Sequence, residues 1–123
     1  MAGVPWRDIA LVGIGGALGA LARFGVSSAL PRLDFPWHTL AVNLAGSLVL
    51  GYLFLDYGME HPARLAIAVG FLGAFTTLST YSVETVDLWR TGHPGLAVVN
   101  GVANGLGGPF LALAGWRLSL LTV

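Results

Sequence analysis

The chain has 123 residues, 55% of them hydrophobic and only 10% charged, with a formal net charge of zero. That is too apolar and too sparsely charged for a water-soluble domain, and a neutral balance without a basic patch excludes nucleic acid as a partner. The absence of cysteine excludes disulfides and thiolate metal sites. All six cations are arginine, and the 18 glycines suit tightly packed membrane helices.

Charges divide the chain into four apolar spans, expected at about residues 8–30, 36–56, 64–88 and 95–118. Each is close to the roughly 20 residues that cross a bilayer. The first span is not read as a removable signal, because three more follow it. Loops fall near 31–36, 56–62 and 90–94, with proline, glycine and histidine punctuation. No stretch remains for a soluble domain. The expected fold is therefore all-α, an integral membrane bundle of four helices forming a single domain over residues 1–123.

In the first span Gly15 and Gly19 have the small-xxx-small spacing that lets helix backbones approach closely. Arg23 follows on the same face. It has two readings: a side chain snorkelling to the interface, or a fixed positive charge at the mouth of a path for anions. In the second span Thr39, Asn43 and Ser47 lie four residues apart, on one helical face, with Gly51 next.

The third span carries the most informative stretch. Its centre reads Thr76, Thr77, Leu78, Ser79, Thr80, Tyr81, Ser82. Hydrocarbon cannot hydrogen-bond hydroxyls or backbone, so such a run must be buried in protein or line a wet path. Gly70, Gly73 and the β-branched threonines weaken the helix here. A break would free carbonyl oxygens, hard ligands suited to a small cation; alternatively the hydroxyls bond back to i−4 carbonyls and only bend the helix. In the fourth span Asn100 and Asn104 share a face with Gly108.

Polar ribbons of this kind serve either as interhelical glue, at about 0.6 kcal/mol per contact, or as the lining of a path. Two ribbons beside a hydroxyl-rich span favour the path. Its polarity is uncharged: no Asp, Glu, Lys or His lies in the middle of a span. Amide and hydroxyl donors suit a small anion without committing the protein to proton coupling, though a neutral solute would also fit. His38, His61 and His93 all fall at loops or span edges, and no catalytic constellation emerges, so an enzyme is not expected.

With four spans, both termini lie on one side. Arg7, Arg64 and Arg117 fall there; Arg32, Arg90 and, by its depth, Arg23 fall on the other. Arginine in short loops sets orientation, and a near-even split favours dual topology. A thin four-helix bundle then builds a pathway most simply as an antiparallel dimer.

Three ordered motifs carry a resemblance to the bacterial fluoride channels, the Fluc or CrcB family. They are Gly15-Gly-Ala-Leu-Gly-Ala-Leu-Ala-Arg-Phe24, Thr39-Leu-Ala-Val-Asn-Leu-Ala-Gly46 and Gly73-Ala-Phe-Thr-Thr-Leu-Ser-Thr-Tyr-Ser82. The resemblance implies an antiparallel dual-topology homodimer with two pores, exporting fluoride passively across the inner (plasma) membrane. It implies that Asn43 is a pore-lining amide and Thr80 a pore hydroxyl, and that the carbonyls of Gly73 and Thr76 hold a structural sodium ion. Leu78 and Tyr81 stand where the family has paired phenylalanines, and Asn100 and Asn104 where it has Tyr and Ser. These departures leave room for a subunit that works only within a heterodimer.

Two other functions compete. A small dual-topology drug/proton exchanger has the same size, but would need a carboxylate inside the first span, where only Asp8 stands at the edge. A non-conducting packing subunit would explain the glycines but not the polar ribbons.

Overall fold

The computed structural model describes residues 2–54 and 61–122. Among these, helix is the only regular structure. The chain forms α1 (Trp6–Ala29), α2 (Trp37–Phe54), a third span in pieces, and α6 (Pro94–Thr122). The third span begins as a short turn, α3 (Pro62–Arg64), and widens into a π-helical stretch over Leu65–Leu72. It closes with α4 (Gly73–Phe75) and restarts as α5 (Leu78–Arg90). Residues 55 and 56, at the end of the second expected span, lie outside the described residues, as does most of the loop that follows.

Punctuation explains the boundaries. Pro62 and Pro94 open their helices, where a missing N–H removes no helical bond. Gly92 joins α5 to α6 at φ 87°, a left-handed conformation that suits glycine.

Three helical segments, Trp6–Ala29, Pro62–Arg90 and Pro94–Thr122, are long and apolar enough to cross a bilayer. α2 is described over 18 residues without a charge. Tryptophans stand near helix ends: Trp6 and Trp37 open α1 and α2, and Trp89 and Trp116 lie near the ends of α5 and α6. Such rings anchor spans at the level of lipid headgroups.

The polarity is inside out relative to a soluble protein. Leu18, Leu21, Phe24, Val102, Leu106 and Phe110 are exposed, whereas Thr39, Asn100 and Ser119 are 2% exposed or less. A surface of this kind is at ease only where the solvent is hydrocarbon.

Packing follows two seams. α1 lies along the π-helical stretch and α4, and α2 lies along α6. α5 also packs on α6, so the third span changes partner at its break. Both seams are made by glycine. A Cβ on Gly15 or Gly19 would run into the carbonyls of Ala66 and Phe71, and one on Gly51 or Gly115 would meet the backbone of Ala112 and Leu48. Backbone-to-backbone approach of this kind is the main source of helix association in lipid, where no hydrophobic force acts between helices.

Gly13, by contrast, faces open space. Gly19→Val should wedge α1 from Phe71 and cost about 3 kcal/mol, while Gly13→Ala stays within about 0.5 kcal/mol. Thermal unfolding in detergent followed by gel filtration checks both. Equal tolerance at the two positions would refute the glycine seam.

Candidate functional site

The site is built around the break in the third span. Thr76 (φ −86°, ψ 157°) and Thr77 (φ −152°, ψ 121°) are both extended. Two residues out of helix in an apolar setting strip backbone groups of their partners, and each must be replaced. Thr77 caps α5, its Oγ1 accepting from the N–H of Thr80 at 3.2 Å, the usual work of an N-cap threonine. Its backbone N–H donates to Asn43 Oδ1 at 2.8 Å, and its carbonyl accepts from Asn43 Nδ2 at 3.0 Å. The side chain of Asn43 thus pairs with Thr77 as a neighbouring strand would.

The remaining N–H of Asn43 donates to Asn104 Oδ1 at 2.9 Å. Asn104 Nδ2 reaches the carbonyl and Oδ1 of Asn100 at 3.0 and 3.1 Å. Asn100 Nδ2 donates to Thr85 Oγ1 at 2.9 Å, and that hydroxyl donates to the Tyr81 carbonyl at 2.7 Å. The ribbons of α2 and α6 therefore meet, and the amides do act as interhelical glue. Both N–H groups of Asn43 are engaged.

A second cluster lies at the α1–α2 loop end of the bundle. Glu84 Oε1 accepts from Thr39 Oγ1 at 2.9 Å and lies 3.2 Å from His38 Nε2. Its other oxygen, Oε2, is buried with no hydrogen-bond partner among the described residues. Arg23 extends from α1 to the break, Nη1 donating to the Thr76 carbonyl at 3.4 Å.

Three cavities connect these groups. One of about 440 Å³ is bordered by Arg32, Asp34, His38, Glu84, Asp87 and His93. The next, about 240 Å³, is lined by Arg23, Ser27, His38, Thr39, Thr77 and Thr80. The third, about 260 Å³, is lined by Asn43, Ser47, Leu78, Tyr81 and Asn104 among others. His38 borders the first two and Thr77 the second and third, so the three lie as a line of neighbouring cavities past the break.

Most of the residues expected to line a path come together here. Arg23, Thr39, Asn43, Ser47, Leu78, Thr80, Tyr81 and Asn104 all border these cavities. Ser79 borders a further open cavity with Arg23, Gly73, Thr76 and Ser82. Asn100 is fully buried and reaches the line only through Asn104. Leu78 is 76% exposed, directed away from its own bundle, while Tyr81 is half-buried with its hydroxyl on the Gly101 carbonyl at 3.3 Å. His38, Thr77, Glu84 and Thr85 were not among the expected residues. The available signal for His38 and Glu84 was that His38 adjoins Thr39 and Glu84 is the first charge after the uncharged stretch of the third span.

The break also offers oxygen to a cation. Among the described residues no cluster of three or more His, Asp or Glu side chains could hold a metal, and the oxygens at the break are carbonyls and hydroxyls. Thr77 N–H is turned to Asn43, which removes the i+4 amide that the Gly73 carbonyl would otherwise use. The Thr76 carbonyl lies outside the helix and faces a guanidinium. Two carbonyls released from helical pairing are the donor type that suits a hard monovalent cation, and Gly73 is exposed rather than enclosed by its own bundle.

The profile of the family described as CrcB-like protein, Camphor Resistance (CrcB), matches residues 10–116. A relative from Haloarcula marismortui, named fluoride-specific ion channel FluC 2, is 50% identical over 76% of this chain and 78% of its own length. Proteins named fluoride-specific ion channel FluC from Saccharophagus degradans (48% identical, 82% and 78% covered) and Thermus thermophilus (42%, 88% and 91%) are also similar. With the profile covering most of its length and relatives at 42–50% identity, this chain belongs to the CrcB family.

Proposed function

We propose that this protein is a fluoride channel, passing the anion passively across a cell membrane. One observation carries the reading: amide and hydroxyl side chains border the cavities beside the break in an otherwise apolar bundle, in a chain whose relatives are named fluoride-specific channels. Fluoride is small, strongly hydrated and a strong acceptor, and neutral donors replace part of its water shell without requiring a proton. As a member of a family of ion channels the protein is not an enzyme.

Four crossings follow if α2 is counted with the three longer segments, which returns both termini to one side. The near-even arginine split then permits insertion in both orientations, and an antiparallel homodimer with two pathways is the architecture we favour. Ser79, Thr80, Ser82, Leu78 and Gly73 are all exposed near the break. Hydroxyls and loose carbonyls facing lipid are costly; a second copy laid on this face removes them from hydrocarbon. The inner membrane is the expected location.

Sodium fits the same face. The carbonyls of Gly73 and Thr76 would hold it, and two such copies would offer four oxygens. When bound, the ion supplies a fixed positive charge that offsets part of the cost of dehydrating an anion nearby. The drug-exchanger reading is disfavoured because Asp8 sits in the first turn of α1, paired with Arg7 at 3.2 Å.

Purified protein in potassium-loaded liposomes with valinomycin should release fluoride rapidly and chloride little, as read by ion-selective electrodes. No fluoride release from a folded dimer would refute the homodimeric channel and leave a heterodimer subunit or a non-conducting role. Asn43→Asp should lower fluoride efflux at least tenfold, roughly 1.4 kcal/mol or more, because it sets a negative charge in the line; unchanged efflux would remove Asn43 from the path. Leu78→Phe should keep or raise efflux if that side chain faces the anion. Exchanging sodium for N-methylglucamine should lower the unfolding temperature of the purified dimer by several degrees; an identical melt in both cations would refute the sodium site.

A further inference from the structure

The orientation of the amide network follows from two backbone anchors. Thr77 presents both an N–H and a C=O to Asn43, so the Asn43 amide has only one orientation that satisfies both. Its second N–H must then point at Asn104, where Oδ1 receives it at 2.9 Å. Asn104 is set in the same way, since its Nδ2 donates to the Asn100 backbone carbonyl. Every donor in the series points from Asn43 toward Thr85. Amides aligned in this way polarise one another, and donation from Asn104 Nδ2 makes its own Oδ1 a stronger acceptor.

An anion reaching the cavity that Asn43 and Asn104 share thus meets an amide whose N–H groups are both taken. One bond closes the break to Thr77; the other goes to a side-chain oxygen. Only the second can be surrendered without opening the backbone.

We propose that Asn104 sets the anion selectivity of this path, its Oδ1 being a resident competitor for the Asn43 N–H that an anion must displace. Asn104 is a positioning residue: it acts through Asn43. A strong acceptor such as fluoride regains on Asn43 what the amide pair loses. Chloride, larger and a weaker acceptor, does not displace a polarised carbonyl, so it finds no free donor. The proposal rests on the channel reading above and deepens it.

The test uses full-length protein in liposomes, comparing Asn104→Ala and Asn104→Leu, the second filling the volume that the first leaves empty. Both should lower the half-saturating fluoride concentration and raise the chloride-to-fluoride permeability ratio, each by roughly tenfold, the scale of one net hydrogen bond. Asn100→Leu, which removes part of the polarisation without touching Asn43, should move both quantities in the same direction by less. A merely structural role would instead lower fluoride and chloride fluxes together, with the ratio and the half-saturating concentration unchanged. That result in a variant that elutes as the unaltered protein does on gel filtration overturns the proposal. If the unaltered protein passes neither anion, the channel reading fails and this inference with it.

Discussion

The pairing of one side-chain amide with one backbone peptide holds the rest of this structure in place. Asn43 supplies both the donor and the acceptor that Thr77 lacks once it leaves the helix. In water the exposed groups at such a break would be solvated. In hydrocarbon each would cost several kcal/mol, and the third span would revert to continuous helix. It could not then pack its first half on α1 and its second on α6. The exchange of partners, the cap by Thr77 and the carbonyls freed toward Arg23 all depend on that pairing.

Around this point the fold separates two tasks. The glycine seams, α1 against the π-helical stretch and α2 against α6, hold backbones close without needing polar contacts. The amide side chains are thereby released for the interior, where Asn43, Asn104 and Asn100 are satisfied one by another in series. That division explains a chain in which Asn100 and Asn104 are buried while Phe24 and Phe110 are exposed, and it leaves the hydroxyls near the break as polar groups directed outward.

Much of this was legible in the residues. The run of threonines after Gly73 announced trouble for a helix, and the break lies within it, at Thr76–Thr77. The four-residue spacing of Thr39, Asn43 and Ser47, and of Asn100 and Asn104, located the faces that meet. What could not be read is what depends on distant contacts. The π-helical widening over Leu65–Leu72 has no local signature in an evenly apolar stretch; it accompanies the close approach to α1. The clustering of His38, Thr39 and Glu84 joins residues some 45 positions apart, and no periodicity within one span reports it. Spacing showed that Asn43 and Asn104 share a face with other polar groups, but only the fold shows that they spend their hydrogen bonds on each other.

Breaking a helix also creates two new ends inside the bundle. The last carbonyls of the first half carry partial negative charge and the first amides of α5 carry partial positive charge, and the two ends sit side by side at Thr76–Thr77. The protein thereby places a region attractive to cations next to one attractive to anions without a formal charge on any residue of the break. Peptide dipoles do not titrate. The field they set up is therefore the same in acid and in alkali; of the ionisable groups near the path, His38 and Glu84 lie toward one end of the bundle, and the Arg23 guanidinium alone reaches the break, at the Thr76 carbonyl.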